Sequence, residues 1–179
     1  MGCLQALKGL PQSTCETNLA GIKKAYIANF ENVSAVTADL TGYTISSIVM
    51  SGSTKFYAYN FAKQTGSLTS TLTKDEANGV RYYLNEAAFQ FNKMEAKKHL
   101  EMSALGADPT AVIILDNNGK YWFLGYDSYC SATDQVSQTG VSFDELNGYT
   151  LTLQQQSAYL PFEITDPSIL NGIVEEVVA

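Results

Sequence analysis

The chain has 179 residues with 45% hydrophobic and only 16% charged side chains, which suits one domain with a full core and a surface polar through hydroxyls and amides more than through ions. Three cysteines, a single histidine and no C-x-x-C pair exclude a zinc framework, a thioredoxin-like motif and a secreted disulfide scaffold. The net charge of −7 is uneven: residues 1–120 hold all 11 Lys and Arg against 10 acids, whereas 121–179 hold eight acids and no base, which excludes ordinary phosphate gripping by the final third.

Residues 1–20 read as an arm, because Gly9, Pro11, Ser13, Thr14 and Thr17 interrupt any period. No basic stretch precedes a long apolar run there, and Ala6 stands where a myristoylation signal places Ser or Thr. With no run of about 18 apolar residues anywhere, the expectation is a soluble protein made in the cytoplasm and no membrane partner. Residues 21–165 form the predicted β domain. Its first strand is Gly21–Phe30, with Tyr26, Ala28 and Phe30 on one face, and Ser34–Thr41 reads as a loop of small and polar residues. Tyr43–Met50 and Lys55–Lys63, joined by Ser51-Gly52-Ser53, read as a hairpin in which Tyr57, Tyr59 and Phe61 share a buried aromatic face.

Asn78-Gly79 predicts a turn into a strand from Val80. Val80, Tyr83, Leu84, Ala87, Ala88 and Phe91 also make a helical stripe, but strand is the chosen reading, because Asn-Gly gives hairpin geometry and Val80, Tyr82 and Leu84 alternate before Ala87, Phe89 and Phe91 take over one residue out of step, as a bulge near Asn85 and Glu86 would produce. A helix follows over Lys93–Ala104, with Asn92 and Glu95 spaced as a capping box and with Gly106 and Pro109 as a stop. Ala96, Leu100, Ser103 and Ala104 share one face. Met94, Met102 and Leu105 lie nearly opposite and are the candidate subunit contact; the competing reading is adaptable Met side chains filling a local gap.

The strongest local signal is Ala111–Asp127, AVIILDNNGKYWFLGYD. Asn118-Gly119 separates an aliphatic run from an aromatic one, which predicts a hairpin with a two-residue type I′ turn. Both runs are apolar on consecutive residues, so both faces are covered and the hairpin lies centrally. Asp116-Asn117-Asn118-Gly119 superficially resembles a calcium loop but lacks the alternate acids and distant Glu of an EF-hand, so no metal is assigned. Ser128–Gly148 reads as a polar loop of about 20 residues, long enough to be functional; the acids on and beside it are Asp127, Asp134, Asp144 and Glu145. Tyr149–Leu153 and Phe162–Ile164 read as strands. The tail, 166–179, is apolar and too short to fold alone, so it needs a surface of its own domain or of a neighbouring subunit.

Enzyme chemistry finds little support. G-x-S-x-G, Walker A, G-x-G-x-x-G and H-E-x-x-H are all absent, and no cofactor is assigned. His99 in KKHLE reads as a surface histidine before a general base, Cys15 or Cys130 lacks a nucleophile signature, and adjacent Asp144-Glu145 does not flank a scissile bond.

The order of phrases FQFNK, EAKKHLEMSAL, AVIILDNNGKYWFLGYD, an acidic Ser/Thr-rich loop and LNGYTLTLQQQSAYLPFEI resembles the tail tube proteins of bacteriophages, especially of phages infecting Bacteroides-type hosts. The resemblance spans roughly residues 66–165. It implies a mainly β (α+β) fold, a β-sandwich or barrel of antiparallel strands with one flanking helix. It also implies a homo-oligomeric ring, a hexamer or larger, whose inner strands form a channel that genomic DNA passes without specific binding. Partners would be other tail or portal-associated virion proteins, and the location the virion tail. The arm and the apolar tail go beyond a minimal tube subunit and leave a tail ring or connector position open. A second reading from another class is a β-sandwich binding module, an adhesin or carbohydrate-binding domain with Tyr57, Tyr59 or Tyr121 stacked on ligand. A third, a small hydrolase, would rest on His99 or Cys130.

Overall fold

The Asn118-Gly119 hairpin lies at the middle of the molecule, and most of the chain is arranged on its two faces. The computed structural model describes residues 9–10 and 17–177. Its strands are β1 (Ile22–Asn29), β2 (Val33–Asp39), β3 (Thr44–Met50), β4 (Phe56–Tyr59), β5 (Ser67–Asp75), β6 (Val80–Asn92), β7 (Thr110–Asp116), β8 (Tyr121–Leu124), β9 (Ser131–Gln138), β10 (Gly148–Ser157), β11 (Phe162–Ile164) and β12 (Val174–Glu175). One helix, α1 (Ala96–Ala107), lies between β6 and β7. Eight strands form a larger sheet in the order β12-β4-β1-β7-β8-β11-β3-β2, and four form a smaller one in the order β5-β6-β10-β9. The chain is thus a mainly β, two-sheet fold with one flanking helix, as expected.

The central position of β7 and β8 follows from their two-sided apolarity. Val112 and Ile114 face a core shared with the smaller sheet and α1, where Phe89, Phe91, Tyr149, Leu151 and Met102 meet them. Ala111 and Ile113 face a second core with Tyr26, Ile45, Phe56, Phe123 and Phe162. The turn differs in detail from the expected two-residue form. Asp116 N–H bonds the Lys120 carbonyl at 2.9 Å, so the loop has three residues, Asn117 to Gly119, and of these only Gly119 has positive φ, +83°. This is a turn closed by a left-handed glycine. The Asp116 carboxylate organises it: Oδ1 accepts from the N–H groups of Asn118 (2.9 Å) and Lys120 (2.8 Å), and Oδ2 from Trp122 Nε1 (3.0 Å).

The larger sheet cannot be flat. From β4 to β3 it crosses five strand spacings, about 24 Å at roughly 4.8 Å each, yet residues 51–55 join these strands and reach at most about 21 Å when extended. The sheet therefore curls, and the second core fills the curl. Residues 167–177, from the C-terminal segment, close its mouth: Leu170 is buried there, Ile169, Ile173 and Val174 pack against it, and Phe56 N–H bonds the Ile173 carbonyl at 2.8 Å. Strand β12 pairs with β4, and Glu176 Oε1 accepts from Tyr26 O–H at 2.9 Å while its Oε2 meets Lys24 Nζ at 2.6 Å. The described tail thus rests on its own domain.

Several expectations are corrected. Val33–Asp39, read within a loop, is β2 and pairs with β3, whereas β3 and β4 do not pair with each other; Ser51-Gly52-Ser53 passes the chain to the far side of the curl. In β4 it is Phe56 and Ala58 that are buried, while Tyr57 is exposed. No bulge interrupts β6: its register with β5 and β10 runs through Asn85 and Glu86, and the odd-numbered residues Asn85, Ala87, Phe89 and Phe91 all face inward. The break in the apolar pattern is a buried asparagine. Part of the long loop, Ser131–Gln138, is strand β9.

Helix α1 starts three residues later than expected, because β6 continues to Asn92 and Lys93 turns the chain at φ +65°. The donors of residues 93–95 go to the Asn147 carbonyl, the Asn147 side chain and the Tyr149 hydroxyl, so Asn92 caps nothing. Met102 and Leu105, 4% and 5% exposed, point into the first core, while Leu100 is 73% exposed. Met94 packs against that same core. These three residues are therefore domain packing, and Leu100 marks the outward face. This orientation predicts that Met102→Ala lowers unfolding free energy by about 2–5 kcal/mol, whereas Leu100→Ala changes it by less than about 0.5 kcal/mol. Denaturant titration of the two variants measures both; equal losses would refute the orientation.

Candidate assembly surface

The smaller sheet has one dry face and one wet face, and the difference is written in strict alternation. Its inner face contributes Ala87, Phe89 and Phe91 from β6 and Tyr149, Leu151 and Leu153 from β10. By register the outer face carries Ser67, Thr69, Thr71, Thr73 and Asp75 on β5, opposite Ala88, Glu86, Leu84, Tyr82 and Val80 on β6. It continues with Thr150, Thr152, Gln154 and Gln156 on β10 and with Val136 and Asp134 on β9. Glu86 and Gln154 are hydrogen-bonded across the strands at 2.8 Å. No Lys or Arg stands on this face among the described residues, since Lys74 and Arg81 pair with each other on the opposite side of the hairpin. A hydroxyl and amide surface with a few acids is the result.

Both edges of this sheet are open. Strands β5 and β9 each pair with one neighbouring strand and, among the described residues, with no strand on the other side, although α1 packs on β9, with Gly106 against the Gln135 side chain. They are nine and eight residues long and almost wholly exposed. Long open edges present rows of unpaired N–H and C=O groups and are templates for pairing with another chain.

Beyond β9 the chain makes a compact loop, residues 139–147, before Gly148 opens β10. A Cβ at Gly148 would lie 2.0 Å from the Phe91 carbonyl oxygen, so only glycine lets the loop return here. The loop holds itself together through Glu145, whose Oε2 accepts from Val141 N–H at 2.6 Å, and through Asp144, whose Oδ1 accepts from Ser142 O–H at 2.7 Å. The backbone N–H groups of Val141 and then Ser142 hold the Glu145 carboxyl below the usual range, and the Ser142 hydroxyl does the same for Asp144. The frame leaves Val141 and Phe143 fully exposed, at 99% and 113%. An open cleft of about 690 Å³ lies beside the loop, lined by Met94, residues 137–141, Glu145 and Leu146.

At the other end of β10 a polar cluster is buried. Asn85, 0% exposed, donates through Nδ2 to Gln155 Oε1 (3.3 Å) and to the Tyr159 carbonyl (3.2 Å), and its Oδ1 has no partner. Gln155 donates to the Ser128 carbonyl at 2.7 Å, and Asp127 accepts from Ser157 O–H and Ala158 N–H at 2.7 Å each. The cluster fixes how β8 hands over to β9 and how β10 ends.

The acids grouped in the sequence are therefore not one site. Asp127, exposed, caps the rim of the polar cluster around Asn85 and Gln155, Asp134 lies on the outer face of β9, and Asp144 and Glu145 belong to the 139–147 loop. The charge asymmetry of the sequence is also partly undone in space, because Lys120, Lys55 and Lys24 pair with Glu163, Glu175 and Glu176. His99 is exposed, edge-on to the Tyr149 ring at 5.4 Å. Cys130 is 0% exposed, and burial pushes its thiol up to about 12, where a thiolate nucleophile is not available near neutrality; Cys3 and Cys15 lie outside the described residues. Tyr57, Tyr59 and Tyr121 do not form one platform: Tyr59 packs on Phe91 and bonds Glu101, and Tyr121 packs against the second core. Among the described residues no three His, Cys, Asp or Glu stand together as a metal site, and no helix is long and apolar enough to cross a membrane.

The open edges and the Phe143 loop were missed by sequence reasoning; alternating Thr in SLTSTLTK was the available signal for the first. The loop frame predicts a pH dependence. Because the folded carboxyl of Glu145 titrates below its unfolded value, its contribution is complete above the ordinary value of about 4.3 and is lost as pH falls through the lower folded value. Amide exchange at Val141 and Ser142, corrected for intrinsic rates, is expected to accelerate only below that range, and Glu145→Gln to accelerate it already at neutral pH. Unchanged exchange in the variant would show that the carboxylate does not hold the loop. No protein-family model, curated protein or solved structure matches the chain.

Proposed function

We propose that the chain is a non-enzymatic structural subunit of a virion, a phage tail tube or tail ring protein, that closes through its smaller sheet into a ring around a channel for genome passage. The observation that carries this reading is the pairing of two open edges with a face free of cations. Strand β9 runs antiparallel to β10, β10 to β6, and β6 to β5, so the β9 edge of one copy meets the β5 edge of the next with the antiparallel alternation unbroken. Such head-to-tail contacts close a ring when the rotation per subunit allows it, and closure removes every open edge of the sheet.

Turned toward the axis, the Thr, Ser and Gln face would form a wall whose few charges are acidic. DNA could slide past such a wall because no cationic site would hold a phosphate. Low charge over the whole chain agrees with burial of much surface in an assembly. The dispersed tyrosines give the binding-module reading no such support.

The first test is the mass of the purified protein in solution by light scattering, with electron microscopy of any large species; rings or tubes with a central hole are expected. A second test addresses the edge. Backbone N–H groups alternate in direction along a strand, so of the neighbours Thr69 and Ser70 one points toward β6 and the other outward. Proline placed at each in turn is expected to unfold one variant and to leave the other folded but unable to assemble. A folded proline variant that still assembles like the parent would rule out β5 as the joining edge.

A further inference from the structure

The 139–147 loop and a small, partly apolar cavity lie on opposite edges of the smaller sheet, toward the same end of it. The loop follows β9, whose last residue, Gln138, stands opposite Gly148 and so level with Asn92 at the end of β6. The cavity, about 300 Å³, opens beside the start of β5 and is lined by Leu19, Ile22, Ser67, Leu68, Asp116 and Trp122 with the backbone of Gly21. Ser67 is level with Ala88, four residues below Asn92, an offset of about 13 Å that the stagger of tilted strands in a closed sheet can supply.

We infer that the loop of one copy docks on the next copy of the same chain, with Phe143 and Val141 seated in the cavity at the start of its neighbour's β5. Three observations meet in this assignment, which rests on the ring reading above. Antiparallel alternation brings the end of β9 to the start of a neighbouring β5, and to no other strand end of the smaller sheet. The loop is framed in advance by Glu145 and Asp144, so its two exposed apolar side chains are presented without a large ordering cost on binding. The cavity offers an apolar wall of Leu19, Ile22, Leu68 and Trp122, the last three set in or against the first core, beside Ser67 and an Asp116 carboxylate already engaged by its own turn and Trp122, and its floor is steadied by the contacts of Asn118 with Leu19 N–H (2.8 Å) and of Asn117 Nδ2 with the Ala20 carbonyl (2.6 Å). An aromatic anchor in a neighbour's pocket is how a few residues dominate an interface.

The contact is tested with two changes. Phe143→Asp touches nothing in its own subunit, so its thermal unfolding should match the parent, while the concentration needed for assembly should rise at least tenfold. Leu19→Cys combined with Phe143→Cys, in a background where Cys3 and Cys15 are serine, should yield a ladder of disulfide-linked multimers under mild oxidation, and neither single variant should. Parent assemblies that persist unchanged in Phe143→Asp, without the ladder, would overturn the docking assignment and leave the ring reading standing. Assembly lost in Phe143→Asp but kept in the folded proline variant of β5 would discard edge pairing and overturn the placement of the loop at the start of β5. A parent that stays monomeric at every concentration and forms no ladder would overturn both.

Discussion

Burial of β7 and β8 on both faces is the constraint from which the rest of the structure follows. A strand can be apolar on every residue only if something covers each side. Here Val112 and Ile114 require the smaller sheet and α1, while Ala111 and Ile113 require the curl of the larger sheet. The hairpin therefore sets two cores at once, and each remaining element belongs to one or the other. The Asp116 carboxylate joins the turn to Trp122, so the register of these strands is fixed by a side chain as well as by the ladder.

Legibility in the sequence followed the strength of local signals. The central hairpin, the length of β6, the existence of α1 and the all-round packing of the domain were readable because each rests on a pattern within a dozen residues. What failed was pairing decided at a distance. Ser51-Gly52-Ser53 has the composition of a hairpin turn, and nothing local says that its two strands belong on opposite walls of a curl. Strand β2, VSAVTAD, and strand β9, SATDQVSQ, are outer strands of their sheets with small or polar side chains, so they lack the apolar alternation that identifies a half-buried strand. Asn85 broke the inward pattern of β6 and imitated a bulge, because a buried amide and an inserted residue shift an apolar count in the same way. The helix was found, but its inward face was not, since Leu100 outside and Met102 inside reverse the ordinary ranking of the two faces.

Of the surface, only its charge could be read in advance. The absence of bases after Lys120 was visible in the sequence, and folding turns it into something more specific. Lysines from residues 1–120 neutralise Glu163, Glu175 and Glu176 around the larger sheet, while the outer face of the smaller sheet remains without a cation. The two open edges became visible only when strand order was known. So did the relation of the 139–147 loop to the start of β5, which depends on the alternation of four strands drawn from 67–75, 80–92, 131–138 and 148–157.

The two sheets also differ in when they can be completed. Every strand of the smaller sheet lies within residues 67–157, whereas the larger sheet draws β1 from residue 22 and needs β11 and β12, which end at 175. During synthesis, at about 5–20 residues per second, the smaller sheet and its open edges can form while the curl still lacks the strands and the 167–170 turn that close it. Contacts so distant in sequence are slow to form. A growing chain thus shows an unpaired edge before its second core is sealed, and nascent copies on neighbouring ribosomes would be exposed to premature pairing. The hydroxyl-rich β5, poor in large apolar side chains, is suited to that interval: its edge by itself adds little hydrophobic attraction.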